Sequence, residues 1–194
     1  MDKTILLASE FTIEAIEQKI EEQDRDVLAD FVYIRLMDRY VHPIEKKHSN
    51  SNNTPRHGFL LMAIACLLIE TYQSFKKGWK TTKDGKSRES FRDFFIEETK
   101  FEAFSRHYKS FYECVRCGIL HQGETTKGWK INRKTDSPLF DEQEKTINAE
   151  KFFDELQKVL ISYKARLKDS PWDSEIWRNC RAKIRYVIIN CGGR

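Results

Sequence analysis

The chain has 194 residues, 40% of them hydrophobic and 33% charged, with only 4 Pro and 8 Gly. That length fits one domain with appendages, and that composition excludes a fibrous or disordered chain. The net charge of +4 and pI of about 8.7 suit a polyanionic partner without requiring one.

The longest apolar run, Phe59 to Ile69, is shorter than the roughly 20 residues that span a bilayer. The N-terminal MDKTILLASEF carries no charged segment ahead of a long apolar stretch. No membrane association and a cytoplasmic location are therefore expected. The five cysteines, Cys66, Cys114, Cys117, Cys180 and Cys191, read as reduced thiols and not as a disulfide framework.

Periodicity near 3.6 residues predicts seven helices. The first covers Thr12 to Gln23, with Thr12 as its cap. The second covers Asp24 to His42, with Val27, Phe31, Ile34 and Leu36 as core candidates and Pro43 at its end. Residues 47–56 are Asn- and Ser-rich and read as a surface loop. A third helix, His57 to Lys77, is apolar nearly all round over its first half, the mark of a central helix in a bundle. After a turn at 81–87 come a fourth, Arg88 to Glu98, and an aromatic-rich fifth, Phe101 to Gln122. From Gly123 to Asn148 the periodicity breaks. WKINR reads as a short strand, and LFDEQEKTI as its hairpin partner. The sixth helix, Ala149 to Lys168, places Phe152, Phe153, Leu156, Leu160 and Tyr163 mostly on one face. The seventh runs from Asp173 to Ile189.

The chemistry-bearing stretch is FYECVRCGILHQGETTKGWKI, residues 111–131. Arg116 and His121 lie late on the fifth helix, before a Gly/Thr-rich loop. A histidine exchanges protons near neutral pH, and an arginine grips phosphate oxygens bidentately. The two form a minimal set for RNA cleavage without a metal: His121 as general base or acid, Arg116 as phosphate clamp. A rival pair, Arg35 and His42, lies on one helical face by its seven-residue step. The five-residue step from Arg116 to His121 turns about 140°, so that pair needs the helix to fray at Gly118 or near Gln122.

VRCGILHQG, late in a helical domain of this size, resembles the Arg-x(4–6)-His motif of the HEPN superfamily. An apolar helix ending LLIETYQSF before it and INAEKFFDELQKVLISYKARL after it extend the resemblance over about residues 57–168. The resemblance implies a single all-α domain over 1–194, a HEPN-like helical bundle with a small β-hairpin or irregular insert. It further implies a metal-independent endoribonuclease of the toxin–antitoxin or phage-defence kind, with Arg116 and His121 as the catalytic pair. A homodimer whose two motifs line one cleft, an RNA substrate and an antitoxin or other protein partner follow from it. Many members carry Asn, Asp or His directly after the Arg, where this chain has Cys117. Some toxins carry a Tyr shortly after the His, where this chain has Gln122 and Gly123.

Other features have two readings. Glu70, inside the apolar third helix, either orients Arg116 or His121 or marks where the helix meets solvent. Cys114 and Cys117 form a CxxC, but a zinc site needs two more ligands, and at i and i+3 on a helix both fit as small core residues. No cofactor is expected. Gln122, Lys127, Trp129 and Lys130 are the candidate RNA-contacting residues beside the pair, joined by Arg133 and Lys134 in the same loop and by Lys76, Lys77, Trp79, Lys80, Lys83, Lys86 and Arg88 in an earlier one. The alternative for those loops is a solvated surface with a Trp anchored in the core, and for Arg178, Arg181, Lys183 and Arg185 a charged helix face. A phosphate-binding Gly-rich loop, H-E-x-x-H and G-x-S-x-G are all absent from the sequence. The reading is thus a HEPN-type ribonuclease. The alternatives are a non-catalytic helical domain that binds a protein and one that binds single-stranded nucleic acid without cutting it.

Overall fold

A computed structural model describes residues 2–44 and 57–192; the loop expected over 47–56 lies outside the described residues. In chain order the elements are β1 (Leu6–Ala8), β2 (Phe11–Thr12), α1 (Ile13–Glu21), α2 (Arg25–Leu36), a π-wound turn (Met37–Val41), α3 (Gly58–Lys77) and α4 (Lys86–Glu97). A 3₁₀ stretch (Thr99–His107), α5 (Tyr108–Phe111), a second π-wound turn (Tyr112–Arg116) and α6 (Cys117–Gln122) follow. The chain closes with β3 (Lys130–Asn132), β4 (Phe140–Asp141), β5 (Thr146–Asn148), α7 (Ala149–Asp169) and α8 (Glu175–Gly192). The fold is predominantly helical, and every expected helix has a counterpart among these elements.

The chain divides into two compact units, one of residues 1–54, 74–81 and 160–194, the other of residues 55–73 and 82–159. In the first, β1 and β2 pair antiparallel, a two-strand ribbon too short to leave a sequence signal. Thr12 caps α1 as expected, its hydroxyl accepting the Ala15 N–H at 3.2 Å. Asp24 caps α2 in the same way through the Val27 N–H. Ile13, Ile16, Leu28, Phe31, Leu36, Tyr163, Leu167, Trp177 and Ile184 are buried. The Trp177 indole N–H, buried with them, donates to the Leu167 carbonyl at 2.7 Å, so the ring is buried without a wasted donor.

The second unit is built on aromatic rings. Phe91, Phe94, Phe95, Phe101, Phe104, Phe111 and Phe152 are all fully buried. Phe94 and Phe152 each bring a ring centroid within 4.8 Å of that of Phe101. Each such side chain contributes roughly 1.5–3 kcal/mol by burial, and each good ring pair about 0.5–1.5 kcal/mol more. Two features depart from expectation. The fifth helix begins as a 3₁₀ stretch and carries a π turn. The insert is a three-stranded sheet of order β3-β5-β4, with its hairpin inside LFDEQEKTI as β4–β5, while β3 joins β5 in parallel. Packing decides this. Trp129 stacks on Phe140 at 5.5 Å and 8°, and Asn148 Nδ2 donates to Lys134 O and Ser137 Oγ, so the β3–β4 connection crosses over and does not fold back as a hairpin.

By length and composition α3 could cross a membrane, although the apolar run Phe59–Ile69 alone could not; 61% of its most apolar window is buried inside the protein. Met62, Ala65, Leu68 and Ile69 are buried core positions, as expected of the central helix of a bundle.

Candidate active site around Arg116 and His121

The π turn ends at Arg116. Its signature is the Cys117 N–H bonding to Tyr112 O, five residues back; such turns recur at functional sites. Past it α6 runs unbroken to Gln122, and Gly123 at φ 72° closes the helix in the left-handed region, where a Cβ is disfavoured. The loop then folds back on the helix. Glu124 N–H donates to Gly118 O at 3.3 Å, and Thr126 N–H to Cys114 O at 3.0 Å. Gly118 is required for this approach: a Cβ there would lie 2.4 Å from Glu124 O.

Arg116 Nη1 lies 3.3 Å from His121 Nε2. The fraying that the five-residue step called for does not occur, because the long arginine side chain makes up the angular gap while the helix stays wound. Arg116 Nε donates to Glu70 Oε1 at 2.8 Å. Its guanidinium lies 5.5 Å from the Tyr112 ring centroid and its Nη1 lies 4.0 Å from Cys117 Sγ. Glu70 is 7% exposed, so the reading in which it turns to solvent is set aside. Burial works against the charge on Arg116, but the Glu70 hydrogen bond and charge outweigh it and hold its pKa above the usual value. Since an arginine only donates, a hydrogen bond along this contact needs Nε2 of His121 as its acceptor. His121 is exposed and Arg116 half-buried. Burial pushes the nearby Cys66 thiol up, which makes it inert.

The two members of the rival pair take different partners. The π turn Met37–Val41 interrupts the seven-residue step. Arg35 is buried and donates to Leu7 O, while His42 Nδ1 meets Asp38 Oδ1 at 3.1 Å. Trp129 is corrected as an RNA-stacking residue. It is 4% exposed, stacked on Phe140 and edge-on to Phe111, and so anchors the loop to the core. Gln122, Lys127 and Lys130 are exposed. Lys130 Nζ pairs with Glu144 at 2.8 Å and Lys127 Nζ lies 3.7 Å from Glu113. Cys114 is buried and Cys117 half-buried, and no group of three or more His, Cys, Asp or Glu able to hold a metal exists among the described residues.

Tyr112 was missed as a site residue, although it lies four residues before Arg116, the helical spacing that puts two side chains on one face. Comparison with protein-family models, with curated proteins and with solved structures gave no match.

Proposed function

We propose that this chain is a metal-independent endoribonuclease of HEPN type, of the kind that serves in toxin–antitoxin or phage-defence systems. The observation that carries the reading is the contact between Arg116 Nη1 and His121 Nε2 at 3.3 Å, with the guanidinium oriented from behind by Glu70. A proton acceptor beside a fixed cation is what transfer of an RNA phosphoryl group to its own ribose requires.

An RNA phosphodiester that binds the Nη edge of Arg116 draws Nη1 away from Nε2. The freed Nε2 takes the 2′-hydroxyl proton, the 2′-oxygen bonds to phosphorus, and the bond from phosphorus to the 5′-oxygen breaks. The leaving 5′-oxygen takes a proton from water. The products are a 2′,3′-cyclic phosphate and a 5′-hydroxyl. Arg116 neutralises the charge that gathers on the phosphate oxygens.

A second copy of the chain belongs to the reading. On α3, the helix that carries Glu70, Leu60 and Leu67 are 44% and 37% exposed and half-buried Ile64 lies between them, an apolar stripe at helical spacing. Leu67→Glu is expected to turn a dimer into a monomer in sedimentation. A protein-binding domain without activity would bury and saturate both Arg116 and His121; the exposure of His121 favours the ribonuclease.

The test is cleavage of a mixed single-stranded and structured RNA pool in EDTA. Wild type cuts; Arg116→Ala and His121→Ala each lose about 10²-fold or more while staying folded; His42→Ala cuts like wild type. An RNA pool that wild type binds with steep salt dependence yet leaves intact would replace the enzyme with a nucleic-acid-binding domain.

A further inference from the structure

Among its described residues the first unit holds positive charges that meet no carboxylate. Arg35, on α2, is 7% exposed. Its Nη1 donates to the Leu7 carbonyl on β1, and its Nη2 lies 4.0 Å from Cys191 Sγ on α8. Arg39, one helical turn on, sends its Nη2 to the same Leu7 oxygen at 3.5 Å. Two guanidinium groups therefore converge on one backbone carbonyl. Lys183 of α8, half-buried, donates to the Lys80 carbonyl at 3.3 Å. Among the described residues none of the three meets a carboxylate within ion-pair distance. The neighbouring acid, Asp38, faces Ser9 and His42 instead.

A buried cation without a counter-charge is expensive, and like charges brought together raise the cost. Burial first, and Arg39 second, push the Arg35 guanidinium down from its usual pKa. Burial and then Arg35 do the same to Lys183. Arg39 lies within the π turn Met37–Val41, a local winding that recurs at binding sites. Arg39 is exposed and Lys183 half-exposed, so an anion reaches the cluster from solvent.

The geometry points to Arg35 and Arg39 as a binding site for a phosphate oxyanion, free or at the end of a nucleotide, in the unit that does not hold Arg116 and His121. The paired guanidinium groups supply planar donors to two of its oxygens. The site neutralises the cluster and ties α2, β1 and α8 together, so binding adds stability.

The test is calorimetric titration and thermal unfolding of the full chain with inorganic phosphate, pyrophosphate, adenosine 5′-monophosphate and adenosine, at ionic strength matched with sodium chloride. Saturable binding and a raised Tm are expected with the phosphate-bearing ligands and none with adenosine. Pyrophosphate affinity falls about tenfold in Arg39→Ala, which changes an exposed position and keeps the fold, and stays unchanged in Lys158→Ala, which removes an exposed lysine of the other unit. Adenosine 5′-monophosphate binding tighter than phosphate identifies a nucleotide as the source; equal affinities identify the free anion. Absence of saturable binding at matched ionic strength, wild-type affinity in Arg39→Ala, or loss of binding in Lys158→Ala would each overturn the proposal.

Discussion

Glu70 and Arg116 form an ion pair at 2.8 Å whose side chains are only 9% and 16% exposed. The pair does two things at once: it removes an unpaired charge from the edge of the core, and it fixes which edge of the guanidinium faces His121. Removing one partner of a buried pair costs more than the pair contributes, because the other charge is left behind.

Glu70→Ala is accordingly expected to lower unfolding free energy by about 3 kcal/mol, read from urea midpoints. Glu70→Gln keeps an oxygen that accepts the Arg116 Nε–H and loses less. If the ribonuclease reading is right, cleavage in Glu70→Gln falls while the RNA still binds. A Glu70→Ala protein as stable as wild type would mean that the pair contributes nothing.

Gly118 offers a sharper probe of the loop that follows His121. A methyl group at that position meets a backbone oxygen, Glu124 O, at 2.4 Å, and backbone cannot swing aside as a flexible side chain can. Gly118→Ala should cost about 1–3 kcal/mol and displace residues 123–126. Gly123→Ala, at φ 72°, should cost about 1–2 kcal/mol through conformation alone. Differential scanning calorimetry distinguishes the two: the double variant sums the losses only if the two positions act independently.

The helices were legible because their signals are local. Thr12 at a cap and the spacing of Phe152, Leu156, Leu160 and Tyr163 on α7 need no knowledge of partners. The two π turns were not legible, since nothing in MDRYV or YECVR differs in composition from ordinary helix. The first turn lies between Arg35 and His42 and breaks the regular step of that rival pair, so the pair looked better on ideal geometry than it is. Glu70 could be suspected from its position in an apolar helix, but its partner lies 46 residues away and only tertiary packing selects it. Trp129 had the composition of a nucleic-acid loop; its burial depends on Phe140, whose pairing with β5 rather than β3 periodicity could not supply.

Trp129 should therefore behave as a core residue. Trp129→Ala is expected to cost about 3–5 kcal/mol and to abolish the near-ultraviolet signature of its stack on Phe140. Lys127→Ala and Lys130→Ala, at exposed pairs, should each move stability by less than about 1 kcal/mol. If these two lysines contact RNA, each lowers the salt slope of binding by about one charge without changing sequence preference. A Trp129→Ala protein with wild-type stability would return the ring to the surface.

Acid should weaken the start of α2. Asp24 accepts the Val27 N–H at 3.2 Å. That bond is the largest cause holding its carboxyl below the usual carboxylate range; burial opposes it, and Lys19 at 3.2 Å adds to it. A carboxyl whose folded pKa is depressed contributes stability that is complete above the unfolded value of about 4 and is lost as pH falls through the lower folded value. Asp24→Ala should cost about 1 kcal/mol at neutral pH. Asp24→Asn caps the helix as well as Asp but cannot titrate, so at pH 7 its urea midpoint should stay near wild type. Between pH 5 and 3 its stability should fall less steeply than that of wild type. Identical acid slopes for wild type and Asp24→Asn would show that the cap carboxylate is not the group that titrates.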